Sequence, residues 1–134
     1  MNASYKINLL SKEFLSKEKG PNITATHFLL YDEENNMFVG QREDQQREVA
    51  SLTKIMTSLV ALELVERYHL DKELLVRVSK NCTSLNGTSA KLPDGAYVKL
   101  NDLLYGTMLP SGNDAAYLLA EVFGLLLFYE NIKP

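Results

Sequence analysis

Ala50-Ser51-Leu52-Thr53-Lys54-Ile55-Met56-Thr57-Ser58 is the stretch on which the reading of this chain turns. From Ser51 to Tyr68 the pattern is helical, with Ile55, Met56, Leu59, Val60, Ala61, Leu62, Leu64 and Val65 covering most of the circumference. A helix apolar nearly all round is expected to be buried. The polar residues at its start, Ser51, Thr53, Lys54, Thr57 and Ser58, then need a reason to be there. Ser51 and Lys54 stand three apart, just under one turn, so their side chains share a face. A hydroxyl and an amine held in that way can act as a nucleophile and the base that activates it. The helix N-terminus would favour negative charge developing on the serine oxygen.

Working outward, Pro110-Ser111-Gly112-Asn113-Asp114-Ala115-Ala116 offers a second serine and an amide at the mouth of another helix. That helix starts near Asp114 and carries Ala115, Ala116, Leu118, Leu119, Ala120, Val122 and Phe123. A short loop between two helix ends can present Ser111 and Asn113 inward. Together the two stretches suggest serine acyl-transfer chemistry. Neither is specific alone. Nine serines and ten lysines in 134 residues make about one chance Ser-x-x-Lys pair. Ser16-Lys17-Glu18-Lys19 is such a pair and reads as a solvated charge cluster. Ser79-Lys80-Asn81 and Ser84-Leu85-Asn86 match Ser-x-Asn as well as Ser111-Gly112-Asn113 does. Plain structural roles also fit: Ser51 as an N-cap, Lys54 as a snorkelling side chain, Ser111 and Asn113 as a capping pair.

The remaining elements are read from pattern and punctuation. Residues 1–21 form a leader, loose or a short helix, closed by Gly20-Pro21, and residues 22–134 form one domain. A hairpin is expected, with strands His27 to Tyr31 and Met37 to Gln41 about the polar turn Asp32-Glu33-Glu34-Asn35-Asn36. Gln41 to Glu48 reads as an exposed charged loop. His69 falls at the end of the Ser51 helix, where a positive or donor group suits the dipole. Val76-Arg77-Val78 suggests a short strand, Asn81 to Gly95 a surface loop, and Asn101 the N-cap of a helix from Asp102 to about Leu109.

Composition narrows the classes. A chain of 134 residues that is 46% apolar can bury one ordinary core. A net charge of −3 and a pI near 5.4 show no basic stripe, which argues against nucleic-acid binding. Cys82 is the only cysteine, so no intrachain disulfide forms, and it reads as a buried or idle thiol. No cofactor or metal motif is present. The first twenty residues hold no apolar run long enough for a signal peptide. Leu118 to Tyr129 is interrupted by Glu121 and too short to span a bilayer, so no transmembrane segment is expected. Compartment stays open on these grounds.

The chain resembles the N-terminal half of the serine D-alanyl-D-alanine carboxypeptidases, low-molecular-mass penicillin-binding proteins that share a fold with serine β-lactamases. The resemblance runs through Phe28-Leu29-Leu30-Tyr31-Asp32, Ala50 to Thr57, Val76-Arg77-Val78-Ser79, Asp102-Leu103-Leu104-Tyr105-Gly106, Ser111 to Ala116 and Ala120-Glu121-Val122-Phe123-Gly124. Gly112, where β-lactamases typically have aspartate, favours the carboxypeptidase branch. The resemblance implies an α+β fold, here mostly the helical lobe plus the N-terminal hairpin. It implies Ser51 as nucleophile, its backbone N–H as half an oxyanion hole, Lys54 as base, Ser111 as proton relay and Asn113 as a substrate-binding group. The substrates implied are peptides ending in D-Ala-D-Ala, with β-lactams as inhibitors and an extracytoplasmic site of action.

The family's third motif, Lys-Thr-Gly, occurs nowhere in these 134 residues. The resemblance therefore implies a truncated domain with impaired acyl transfer, which a C-terminal half supplied elsewhere would complement. The contrasting readings are an inactive fragment or penicillin- or peptidoglycan-binding remnant, and a β-lactamase-like hydrolase. A two-stranded hairpin is marginal alone. Low thermal stability and a tendency to aggregate are expected.

Overall fold

The computed structural model describes residues 24–132. The expected leader and the Ser16-Lys19 pair lie outside the described residues. Two compact units divide the chain at Glu48 and Val49.

The first unit is the expected hairpin. Strand β1 (Phe28–Asp32) pairs antiparallel with β2 (Met37–Gln41), with Phe28 opposite Gln41 and Asp32 opposite Met37. β1 begins and ends one residue later than expected, because Asp32 closes the ladder and organises the turn. One Asp32 carboxylate oxygen accepts the Glu34 N–H at 3.1 Å and the other accepts the Asn35 side-chain amide. Asn36 takes the left-handed conformation (φ 48) that asparagine tolerates, and its side chain accepts from the Tyr31 hydroxyl at 3.0 Å. Leu29, Leu30, Tyr31 and Phe38 are exposed.

The second unit holds the core. A tight 3₁₀ turn (Ala50–Leu52) leads into α1 (Thr53–Arg67), followed by strand β3 (Leu75–Arg77), the short helix α2 (Lys80–Thr83), strand β4 (Tyr97–Lys99), α3 (Leu100–Met108) and α4 (Asn113–Ile132). Helices α1, α3 and α4 bury Ala61, Leu64, Val65, Leu100, Leu103, Ala115, Leu118, Leu119 and Phe123 together with Val76, Val78 and Cys82. The Cys82 thiol is fully buried and donates to the Ser79 carbonyl at 3.0 Å. No helix of the described residues is long and apolar enough to cross a membrane.

Four expectations change here. Helix α1 is not buried all round. One stripe, Lys54, Ser58, Ala61, Leu64 and Val65, faces the core, while Ile55, Met56, Leu59, Val60 and Leu62 are exposed. At the start of the Asn81–Gly95 loop, Lys80–Thr83 closes into α2, because the Ser79 hydroxyl caps it by accepting the Cys82 N–H at 3.1 Å. β4, which the sequence reading omitted, pairs antiparallel with β3, and Val78 N–H to Ala96 C=O at 2.8 Å extends the ribbon. That pairing also moves the start of α3. Lys99 rather than Asn101 stands at its N-cap, with no side-chain cap. The backbone N–H groups of Leu100 and Asn101 instead donate to the carbonyls of Leu74 and Lys72, both at 2.9 Å, so the turn leading into β3 supplies what a capping side chain would.

At the far end of α1, the Leu70 N–H reaches the Val65 carbonyl at 2.9 Å and the His69 N–H the Glu66 carbonyl at 3.2 Å. This is a Schellman closure, with His69 in the left-handed position (φ 51) that glycine usually fills. His69 ends the helix through its backbone.

Candidate active site

The 3₁₀ turn presents Ser51. Ala50 before it has a left-handed backbone (φ 44), rare for a residue with a side chain, and the Thr53 hydroxyl donates to the Ala50 carbonyl at 2.8 Å. Ser51 therefore sits one turn ahead of the α-helix rather than inside it, and its side chain is exposed. Lys54, in the first turn of α1, begins the buried stripe and is only 8% exposed. Its side-chain nitrogen lies 3.3 Å from Ser51 Oγ and 2.7 Å from Asn113 Oδ1. Both partners are neutral; neither is a carboxylate. One turn deeper on the same stripe, the buried Ser58 hydroxyl has no hydrogen-bond partner among the described residues.

The loop between α3 and α4 brings the other two residues. Ser111 has a left-handed backbone (φ 56), and its hydroxyl donates to Ser51 Oγ at 2.8 Å. Strained residues beside both hydroxyls persist only when the surroundings over-determine them, and such strain clusters at functional sites. Gly112 N–H donates to the Gly106 carbonyl at 3.0 Å, and a Cβ on Gly112 would lie 2.7 Å from that carbonyl and 2.8 Å from the Ala90 nitrogen. Only glycine fits there. Asn113 opens α4, with Oδ1 toward Lys54 and Nδ2 donating to the Asn86 carbonyl at 2.8 Å. All four residues named from the sequence thus meet in one place. The adjoining cleft, about 310 Å³, is lined by Ser51, Lys54, Ser111, Thr107, Ile55 and Met108.

The sequence reading missed what holds the loop. Asp114, 4% exposed, accepts from the Ala90 N–H (2.8 Å), the Ser89 hydroxyl (2.8 Å), the Leu92 N–H (3.2 Å) and the Ala115 N–H (3.0 Å). Burial alone would raise its pKa, but these four donors outweigh it and hold the carboxyl below the usual value. The Asn113 N–H donates to the Thr88 carbonyl at 2.8 Å, and the Thr88 hydroxyl to the Ser111 carbonyl. The segment from Asn86 to Leu92, read as plain surface loop, is tied to the second motif along its length. The Asn86-Gly87 pair, a frequent left-handed turn signal, was the clue available. Among the described residues, no group of three or more His, Cys, Asp or Glu side chains is placed to hold a metal.

A family model of D-alanyl-D-alanine carboxypeptidases matches residues 14–124. The chain belongs to the D-alanyl-D-alanine carboxypeptidase family. Among curated relatives, the D-alanyl-D-alanine carboxypeptidase DacF of Bacillus subtilis is 35% identical over 72 residues, 54% of this chain and 18% of that protein. DacD of Escherichia coli is 32% identical over 108 residues, 75% of this chain and 28% of that protein. Among solved structures, the DacD carboxypeptidase of Francisella tularensis superposes with a TM-score of 0.69 at 34% identity, covering 77% of this chain and 25% of that one. Penicillin binding protein 5 of Haemophilus influenzae gives 0.66 at 30% identity, covering 75% and 30%. The carboxypeptidase fold is present in part: the chain spans between 18% and 30% of the length of these relatives.

Proposed function

We propose that this chain carries the acylating half of a serine D-alanyl-D-alanine carboxypeptidase site, acting on peptides that end in D-Ala-D-Ala and reacting with β-lactams. The observation that supports this most is the shared contact of Lys54 Nζ and Ser111 Oγ with Ser51 Oγ, at 3.3 and 2.8 Å. Ser51 Oγ attacks the carbonyl between the two D-alanines as Lys54 takes its proton. The carbonyl electrons move to oxygen, facing the helix N-terminus, and return as the C–N bond breaks. The departing D-alanine amine receives its proton by way of Ser111, whose hydroxyl can both donate and accept. Water then cleaves the Ser51 ester, releasing the shortened peptide as its acid and restoring the Ser51 hydroxyl.

Lys-Thr-Gly does not occur in these 134 residues. Loss of a single oxyanion donor costs about 10²–10³ in rate in other enzymes. These residues by themselves are therefore expected to acylate slowly, and a separately supplied C-terminal half to raise the rate. The test is a fluorescent penicillin combined with an assay for D-alanine release from a D-Ala-D-Ala peptide. Covalent labelling that disappears in Ser51→Ala supports the proposal. Folded protein that takes no label supports a non-catalytic remnant, and turnover of nitrocefin a β-lactamase-like hydrolase.

A further inference from the structure

Asn113 is gripped at both ends, and the grip on its outer end comes from a loop with no part in the motifs. Its Oδ1 accepts from Lys54 at 2.7 Å while its Nδ2 donates to the Asn86 carbonyl at 2.8 Å. The two ends of an amide are alike in size and opposite in hydrogen-bonding sense. A backbone carbonyl can only accept, so it holds the NH₂ outward and turns the oxygen toward Lys54. Lys54 then commits one N–H to Asn113, which fixes the rotation of its nitrogen and leaves another position facing Ser51 Oγ.

The Asn86 carbonyl reaches Asn113 because the next residue lacks a side chain. Gly87 has φ +103, and a Cβ there would lie 2.6 Å from Asn113 Nδ2, closer than real side chains approach. The Thr88 bonds to Asn113 and Ser111 and the Asp114 bonds to residues 89–92 keep this turn in register with the second motif.

We propose that the Asn86–Gly87 turn is a positioning element of the site: it sets the orientation of the Asn113 amide and, through it, the placement of the Lys54 nitrogen against Ser51. Its effect on rate rests on the acyl-transfer reading above; its effect on geometry does not. Gly87→Ala displaces the Asn113 amide and draws Lys54 away from Ser51 without disturbing the core of α1, α3 and α4. A misplacement of about 1 Å at a reacting group can cost about 10² in rate.

Gly95 provides the control. It too has a left-handed backbone (φ +74), but a Cβ there would meet only the Arg77 guanidinium, at 3.8 Å. Gly95→Ala thus carries comparable backbone strain outside the site. The experiment records the Asn113 side-chain amide and the Lys54 Cε by NMR in the full chain, with the rate of labelling by fluorescent penicillin. In Gly87→Ala both signals move and labelling slows about 10²-fold, whereas Gly95→Ala changes neither. Unmoved signals in Gly87→Ala overturn the proposal, and so do equal shifts in the two variants. Should Gly87→Ala fail to fold, Thr88→Val decides, since it removes the hydroxyl bond that ties the turn to the Ser111 carbonyl and places no new charge beside Lys54: the Asn113 amide signal must move, and an unmoved one overturns the proposal. Wild-type protein that shows the two signals coupled but takes no label counts against the acyl-transfer reading and leaves the geometric test intact.

Discussion

Ser111 Oγ donates a hydrogen bond of 2.8 Å to Ser51 Oγ across sixty residues of chain, joining a 3₁₀ turn before α1 to a left-handed residue before α4. The contact depends on how closely α3 and α4 approach. A Cβ built on Gly106 comes within 3.3 Å of the Ala115 Cβ, and Gly112 lies against the Gly106 carbonyl. Gly112→Ala should destabilise the second unit by about 1–3 kcal/mol through overpacking. Urea unfolding followed by circular dichroism measures it; an unchanged midpoint would show that the loop has room to yield.

Asp114 should make stability depend on acid. Its folded pKa is lowered by the donors from residues 89, 90, 92 and 115. The stabilisation it contributes is therefore complete above its unfolded value, about 3.9, and is lost as pH falls through the lower folded value. Asp114→Ala leaves several buried donors without an acceptor and should cost about 1–3 kcal/mol at neutral pH. The variant's stability should fall less steeply than that of the wild type below pH 4. Parallel acid limbs in the two proteins would assign the acid sensitivity elsewhere.

His69 should be improvable. It holds a left-handed backbone at the end of α1, a conformation that costs a residue with a side chain about 1–2 kcal/mol and glycine almost nothing. His69→Gly is expected to raise the melting temperature. A fall would mean that the exposed imidazole contributes more than the strain it imposes.

The exposed apolar residues of α1 and the hairpin set the solution behaviour. Ile55, Met56, Leu59 and Val60 form one uncovered face of α1, and Leu29, Leu30 and Phe38 are open on the hairpin. Exposed apolar side chains on each of the two units promote association. The isolated chain should aggregate and melt at low temperature, and Ile55→Lys with Leu59→Glu should reduce light scattering without changing helix content. A monodisperse wild-type chain with a sharp, reversible transition would contradict this.

Much of the site could be read from the sequence because it rests on local chemistry. Ser51 and Lys54 share a face by their three-residue spacing, and the hairpin was marked by two short strand-like runs about a polar turn. Loop chemistry from Asn86 to Leu92 was not legible. Its bonds to Asn113 and Asp114 link residues more than twenty positions apart, and its own polar composition describes an ordinary surface segment equally well. β4 was hidden for a related reason: three residues, Tyr97-Val98-Lys99, carry no alternation, and only Leu75–Arg77 opposite them makes them a strand. The exposed half of α1 shows the converse error, since apolar residues in sequence state what a helix could bury, not what covers it.

The decisive measurement is mass spectrometry of the intact chain, and of its proteolytic fragments, after incubation with benzylpenicillin. The geometry around Ser51 predicts a single penicilloyl adduct on the peptide containing Ser51, absent from Ser51→Ala and greatly slowed in Lys54→Ala. Folded wild-type protein without an adduct, or an adduct that persists in Ser51→Ala, would contradict it.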